Sequence, residues 1–495
     1  MADSRSLVLP GGVLPGRRRL LAFAGALACG GCTPQARPSP ALVLPPTASG
    51  QSLLDDLERR TFDFFWQTAN PVNGLVPDRY PSPSAASIAA VGFALTAYPI
   101  GVERGWITRA QARDRVLATL QFFAAAAQGP QSGGMTGYQG FFYHFLHMSR
   151  GTRAWKCELS TVDTALLLAG VLFCQSWFDQ AISDEVQIRQ LADAIYTRVN
   201  WTWAQPRAPL IAMGWTPEHG FIKQDWCGYN EAMIVYLLAL GSPVHEVEPA
   251  AWPAWCSTYD ASWGTFEGYE HLGFAPLFGH QYSHVWVDFR GIADPYMRAR
   301  GIDYFENSRR ATYSQRAYAI SNPGRWKGYD DRIWGLSACD GPHDGVQPYQ
   351  GVGRRFRGYA ARGAGLRHTV DDGTIAPTAM LASLPFAPEI VLPSLHEMVR
   401  RHGALLYTRY GLLDAFNPTF DYPAWLEYGR LAPGFGWVDT DYVGIDQGPI
   451  LAMIANYRKG FVWKVMRNNA NLVRGLRRAG FDGGWLGSGK TAARR

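Results

Sequence analysis

Acidic residues in this chain recur among aromatics, glycine and proline, in settings that read as loops or helix starts. Glu158 and Asp163 lie in WKCELSTVDTALLLAG, and Glu231 in GYNEAMIVYLLALGSP. Asp288 lies in YSHVWVDFRG, and Asp303 and Glu306 in GIDYFENSRRAT. Asp340 follows in WGLSACDGP, Asp414 in YGLLDAFNP and Asp446 in DYVGIDQGP. A carboxylate removed from water is costly unless it is paired or protonated. Two such groups, one a proton donor and the other a base or nucleophile, are what glycosidic bond cleavage requires. Each residue also has a structural reading. Asp163 could favour the positive end of a helix capped by Ser160 or Thr161, and Glu231 could do the same for its own helix. Asp303 could cap the following helix, and Asp288 could pair with Arg290. The collection says more than any member.

Other motifs fail on context. Gly484, Gly489, Lys490 and Thr491 in GWLGSGKT match a phosphate loop, but no helix can follow so near the C-terminus to hold the anion. DTDYVGIDQG (Asp439–Gly448) resembles a calcium loop, yet Val443 and Ile450 stand where ligands belong. HEMVRRH (His396–His402) has Arg400 in place of the second histidine of a zinc-protease helix, and no G-x-S-x-G elbow occurs. No nucleotide, cofactor or metal is expected.

The elements that position these residues are mostly helices. SLLDDLERRTFDFFWQTA, from Ser52, has apolar residues at helical spacing. Further helices are expected at 86–104, 108–127, 160–178, 184–200, 230–240, 304–320, 388–402, 442–457 and 462–479, separated by Gly-, Pro- and aromatic-rich loops. Strand signals are few and short. This pattern predicts an all-α toroid of helix hairpins in two concentric rings, with cleft-forming loops at one end. A chain of 495 residues, 47% hydrophobic and 18% charged, has ample material for such a core. Its 18 Trp, 23 Tyr and 25 Phe also suit a protein that stacks flat faces on sugar rings. The net charge of +6 is spread out and leaves no nucleic-acid footprint.

The first 32 residues read as an export signal: Arg17–Arg19, then a short apolar run from Leu20 to Ala28. The arginines loosely resemble a twin-arginine signal, and the small residues before Cys29 and Cys32 a lipoprotein cleavage site. Residues 33–50 form a Pro/Ala-rich tether, 51–480 the folded domain and 481–495 a flexible tail. Five cysteines fall in the domain without any C-x-x-C, so no zinc ribbon or redox pair is expected. An exported periplasmic or lipid-anchored monomer is the expectation.

STVDTALLLAG, YNEAMIVYLLALGSP, PLFGHQYSHVWVDFRG, DYFENSRRAT, WGLSACDGP, YGLLDAFNP and YVGIDQGPILAMIANYR occur in one order between Ser52 and Trp463. Together they resemble the bacterial glycoamylase-like domain, which includes the endo-β-1,2-glucanases of glycoside hydrolase family 144. The resemblance implies an (α/α)6 barrel and a β-1,2-glucan or related β-glucan substrate, cleaved with inversion to short oligosaccharides without a metal. It makes Glu231 the general acid, from its match to Y-x-E-A-M, and Asp446 the base, from I-D-Q-G-P. Asp163, Asp340 and Asp414 are alternatives for the base. Tyr229, His280, Tyr282, His284, Trp286, Asp288, Arg290 and Trp334 would shape subsites, with Asp340 and Asp414. The wider family also contains transglycosylating domains, so transglycosylation, exo action on a related glucan, and a non-catalytic glucan-binding lipoprotein are competing readings.

Overall fold

The computed structural model describes residues 50–487. The expected export signal, most of the tether and the end of the tail lie outside the described residues.

Four helices are buried nearly all round. In Ile88–Glu103 the run Ile88–Gly101 is buried, and in Thr161–Trp177 the run Thr161–Cys174. Every residue of Met233–Gly241 is buried, as is Gly444–Asn456 of Gly444–Lys459. A helix apolar on every side has no solvent face and belongs inside a protein. Ile88–Glu103 packs between Thr161–Trp177 and Gly444–Lys459. Thr161–Trp177 touches Met233–Gly241, which in turn meets the short helix Tyr282–Trp286 and so leads back to Gly444–Lys459. Gly92 and Gly170 make the close crossing of Ile88–Glu103 and Thr161–Trp177 possible. A Cβ on Gly92 would lie 2.2 Å from the Leu166 carbonyl oxygen, and one on Gly170 2.2 Å from that of Gly92.

Amphipathic helices cover this inner set. Gly50–Thr68 packs on Gly444–Lys459, Ser183–Thr197 on Thr161–Trp177, and Ala470–Arg478 on Met233–Gly241. Arg109–Ala125 illustrates the type, burying only Ala112, Val116, Thr119, Leu120 and Phe123. The helix expected over 462–479 is two helices, Phe461–Met466 and Ala470–Arg478. Asn469 breaks the run because its side chain caps the second helix, accepting from the Leu472 amide at 3.0 Å. The part of the expected tail that is described, residues 481–487, packs on the domain. Phe481 and Leu486 are buried, and the Trp485 indole donates to the Asp288 carbonyl at 2.7 Å.

Short strands tie the starts of the inner helices into a belt. Arg79 and Tyr80 pair with Val443 and Tyr442, Ala86 and Ser87 with Leu146 and Phe145, and Leu159 and Ser160 with Trp215 and Gly214. Single backbone bonds fill the gaps: Gly444 N to Asp78 O, Ile88 N to His144 O, His144 N to Glu158 O and Thr161 N to Met213 O. The first residues of three buried helices therefore lie along one rim, and Glu158, Asp163 and Asp446 are carried to it.

Candidate active site

Glu231 lies two residues ahead of its helix, which begins at Met233. Asn230 turns the chain ahead of it, its Oδ1 accepting from the Ala232 amide at 2.9 Å. The segment is fixed from the side by Ser283, whose hydroxyl donates to the Glu231 carbonyl and accepts from Ile234 N. Asp446 sits in the first turn of Gly444–Lys459, held by Thr378, whose hydroxyl donates to the Asp446 carbonyl at 2.9 Å. Asp163 occupies the matching first-turn position of Thr161–Trp177. Ser160 caps that helix by accepting from the Asp163 amide, and its hydroxyl donates to Asp163 Oδ2 at 2.5 Å. All three carboxyl residues are buried, at no more than 1% exposure.

Two further groups complete the rim. His144 faces Glu158 through Nδ1 at 2.9 Å and Asp163 through Nε2 at 3.6 Å. The Glu158 side chain is 20% exposed, so this group reaches solvent. In the second group Arg79 forks onto Asp340 at 2.6 and 3.0 Å and reaches Asp441 at 3.2 Å. Its guanidinium lies 3.6 Å from the centre of the Tyr428 ring. Asp414 accepts from the Asp340 amide at 2.8 Å, and Asp439 from the amides of Thr440 and Asp441. Burial, and then the charges of Asp340, Asp414 and Asp441, push the Asp439 carboxyl well above its ordinary range and favour its neutral form. Carboxylate oxygens of Asp340, Asp414 and Asp439 lie within 4.8 Å of one another, as do ligand atoms of His144, Glu158 and Asp163. Each set has the spacing to hold a metal, but Arg79 already supplies a cation to Asp340, and both nitrogens of His144 face carboxylates.

The structure separates Asp288 and Arg290 from this rim and turns Trp286 and Trp334 inward. Asp288 pairs with Arg290 at 2.8 Å and also with Arg467. Burial opposes its ionisation, but the Arg290 bonds and charge, aided by Arg467, hold it below the usual carboxylate range. Arg290 lies over Trp463 at 4.3 Å and beside Gly460, which ends the helix that Asp446 begins. Fourteen residues of helix put Asp288 and Arg290 roughly 20 Å from the Asp446 end. Trp286 points into the core, its indole donating to Thr96 Oγ1 and stacking on Phe93. Trp334 is likewise internal, bonded to Ser394 on Pro388–Leu406. His284 contacts Ser308 and lies against Phe289 and Phe386, where burial drives its imidazole down to about 3. His280 packs on Tyr229, and Tyr229, two residues ahead of Glu231, stacks on Tyr304. Tyr282 opens its short helix between Phe93 and Phe278. Asp303 is a helix cap, accepting from the Glu306 amide.

Arg79, His144, Asp439 and Asp441 were not singled out by the sequence as site residues. The acidic spacing Asp439–Asp441 was a visible signal. Arg79 in PDRYPSP and His144 in FFYHFLH gave none.

A predominantly helical protein with a rim of buried carboxyl groups is the class that fold and site define. The chain belongs to the Glycoamylase family, whose model matches residues 223–470, half of its length. It is 28% identical over 460 residues to an exo β-1,2-glucooligosaccharide sophorohydrolase (non-reducing end) of Parabacteroides distasonis. That match takes in 86% of this chain but only 58% of the relative's length. The endo-β-1,2-glucanase of Chitinophaga pinensis, solved with sophorotriose and glucose, superposes with a TM-score of 0.75 at 26% identity, over 89% of this chain and 100% of that one. A β-1,2-glucanase of Parabacteroides distasonis gives 0.74 at 26% identity, over 88% of this chain and 60% of that one.

Proposed function

We propose that the protein is a glycoside hydrolase that cleaves β-1,2-glucan by inverting acid–base chemistry on an (α/α)6 barrel. The observation that carries this reading is the delivery of Glu231, Asp163 and Asp446 to the starts of inner helices, in a family with β-1,2-glucan-active relatives. Glu231 gives its proton to the glycosidic oxygen as the C1–O bond breaks. Water attacks C1 from the opposite face, and Asp446 takes the proton that water loses. One water is consumed per bond, and the new reducing end has the opposite anomeric configuration. Asp163, held by Ser160 and His144, is the alternative base.

Endo action to short oligosaccharides is the first reading of the cleavage mode. Exo release of disaccharide units is the second, favoured by the sophorohydrolase relative. Chromatography of products from linear β-1,2-glucan separates them: endo cleavage gives an early ladder, and exo cleavage gives disaccharide from the first minutes. Failure to release reducing sugar from this or any other β-glucan refutes the hydrolase reading. Export and lipid attachment at Cys29 or Cys32 fit the same role, and loss of lipid-precursor labelling in Cys-to-Ser variants would support them.

A further inference from the structure

Trp155 is built against ordinary backbone preference. Its φ is 52°, in the left-handed region that glycine occupies freely and that a bulky residue adopts only under constraint. The turn around it is clamped. Ala154 N donates to Phe145 O at 2.9 Å, and Cys157 Sγ bonds the same carbonyl at 3.3 Å. Arg153, itself forked onto Glu218, donates to Cys157 O at 2.7 Å. The side chain so presented is 55% exposed. Neither stability nor solubility asks for a tryptophan here. A bulky residue held at a positive φ in a clamped turn, with its ring displayed to water, points to a contact made outside the chain.

Its position identifies the contact. The indole meets Phe145 edge-on at 5.8 Å, Phe145 stacks on His144 at 3.8 Å, and His144 bonds Glu158 and faces Asp163. Trp155 therefore stands two ring contacts from the rim carboxylates, on the side where Glu158 opens to solvent. The flat, partly apolar face of an indole suits the C–H face of a pyranose ring.

We propose that Trp155 is a stacking platform for a glucose unit of the glucan chain, at a subsite flanking the Glu158–Asp163 end of the cleft. This rests on the glucan-hydrolase reading. The test compares KM and kcat on β-1,2-gluco-oligosaccharides, together with thermal stability, for Trp155→Ala, Trp155→Gly and Trp155→Phe. The Ala and Gly variants should raise KM on the order of tenfold while kcat stays within about threefold. The Phe variant should keep most of the affinity. Trp155→Gly should also melt higher than wild type, because glycine relieves the backbone, whereas a merely structural tryptophan would melt lower on removal. Unchanged KM in both Ala and Gly variants of an active enzyme overturns the platform alone. Wild-type protein inert on every β-glucan fails the hydrolase reading and takes the platform with it.

Discussion

Replacing Arg79 with alanine should destabilise the protein through charge rather than through lost packing. Asp340 and Asp441 are fully buried and share this one guanidinium, itself nearly buried. Removing one partner of a buried ion pair costs about 3–5 kcal/mol, because a charge is left behind in a poor solvent. Both Asp340 and Asp441 lose this cation at once, so the upper end applies. At about 2.1 cal/mol/K per residue, some 440 ordered residues give an unfolding entropy near 0.9 kcal/mol/K, and about 5 kcal/mol becomes a Tm loss of about 5 °C. Near-UV circular dichroism melts at pH 7 and at about pH 5.5 test the cause. The loss should shrink at the lower pH, since the stranded carboxylates can take up protons. Arg79→Lys should lose less, as it keeps the charge but not the fork. Asp340→Asn added to Arg79→Ala should recover part of the loss. A Tm within about 1 °C of wild type, or an equal loss at both pH values, would refute the reasoning.

Two more predictions use titration. The Asp439 carboxyl is shifted upward in the folded state, so the stability it contributes is complete below its unfolded value of about 3.9 and is lost as pH rises through the raised folded value. Asp439→Asn mimics the neutral acid. Its denaturation midpoint should therefore gain on wild type progressively above about pH 4, and a gain that is flat with pH contradicts this. Asp288 is shifted the other way, so its contribution is present above about pH 4 and is lost as pH falls through the lowered folded value. Asp288→Asn should cost about 1–3 kcal/mol at pH 7, discounted for its half-exposed arginine partner, and the cost should narrow in acid. Its kcat/KM should stay within about twofold of wild type. A tenfold fall in a folded variant would bring Asp288 back to the site.

The buried helices were legible because a run such as TALLLAGVLFC has no polar side to show water, and Thr161–Trp177 falls one residue inside each expected end. The break at Asn469 was not, since asparagine continues a helix or caps a new one according to where its neighbours pack. The carboxylates were legible because acids among aromatics are costly to bury without a reason. Their sorting was not. Asp288 and Asp163 look alike in sequence, yet one meets two arginines at the far end of a helix and the other a serine and a histidine at the rim. Trp286 and Trp334 read as sugar platforms, but their indoles satisfy Thr96 and Ser394 inside the core. Trp155 drew no notice because nothing local in the sequence reveals a positive φ.

The role of Glu231 as the acid is tested most directly by the turnover of Glu231→Gln on linear β-1,2-glucan, in protein whose melting temperature matches wild type. Loss of the proton donor should cut kcat by about 10²–10⁴-fold with oligosaccharide binding kept. Turnover within a few-fold of wild type would contradict it.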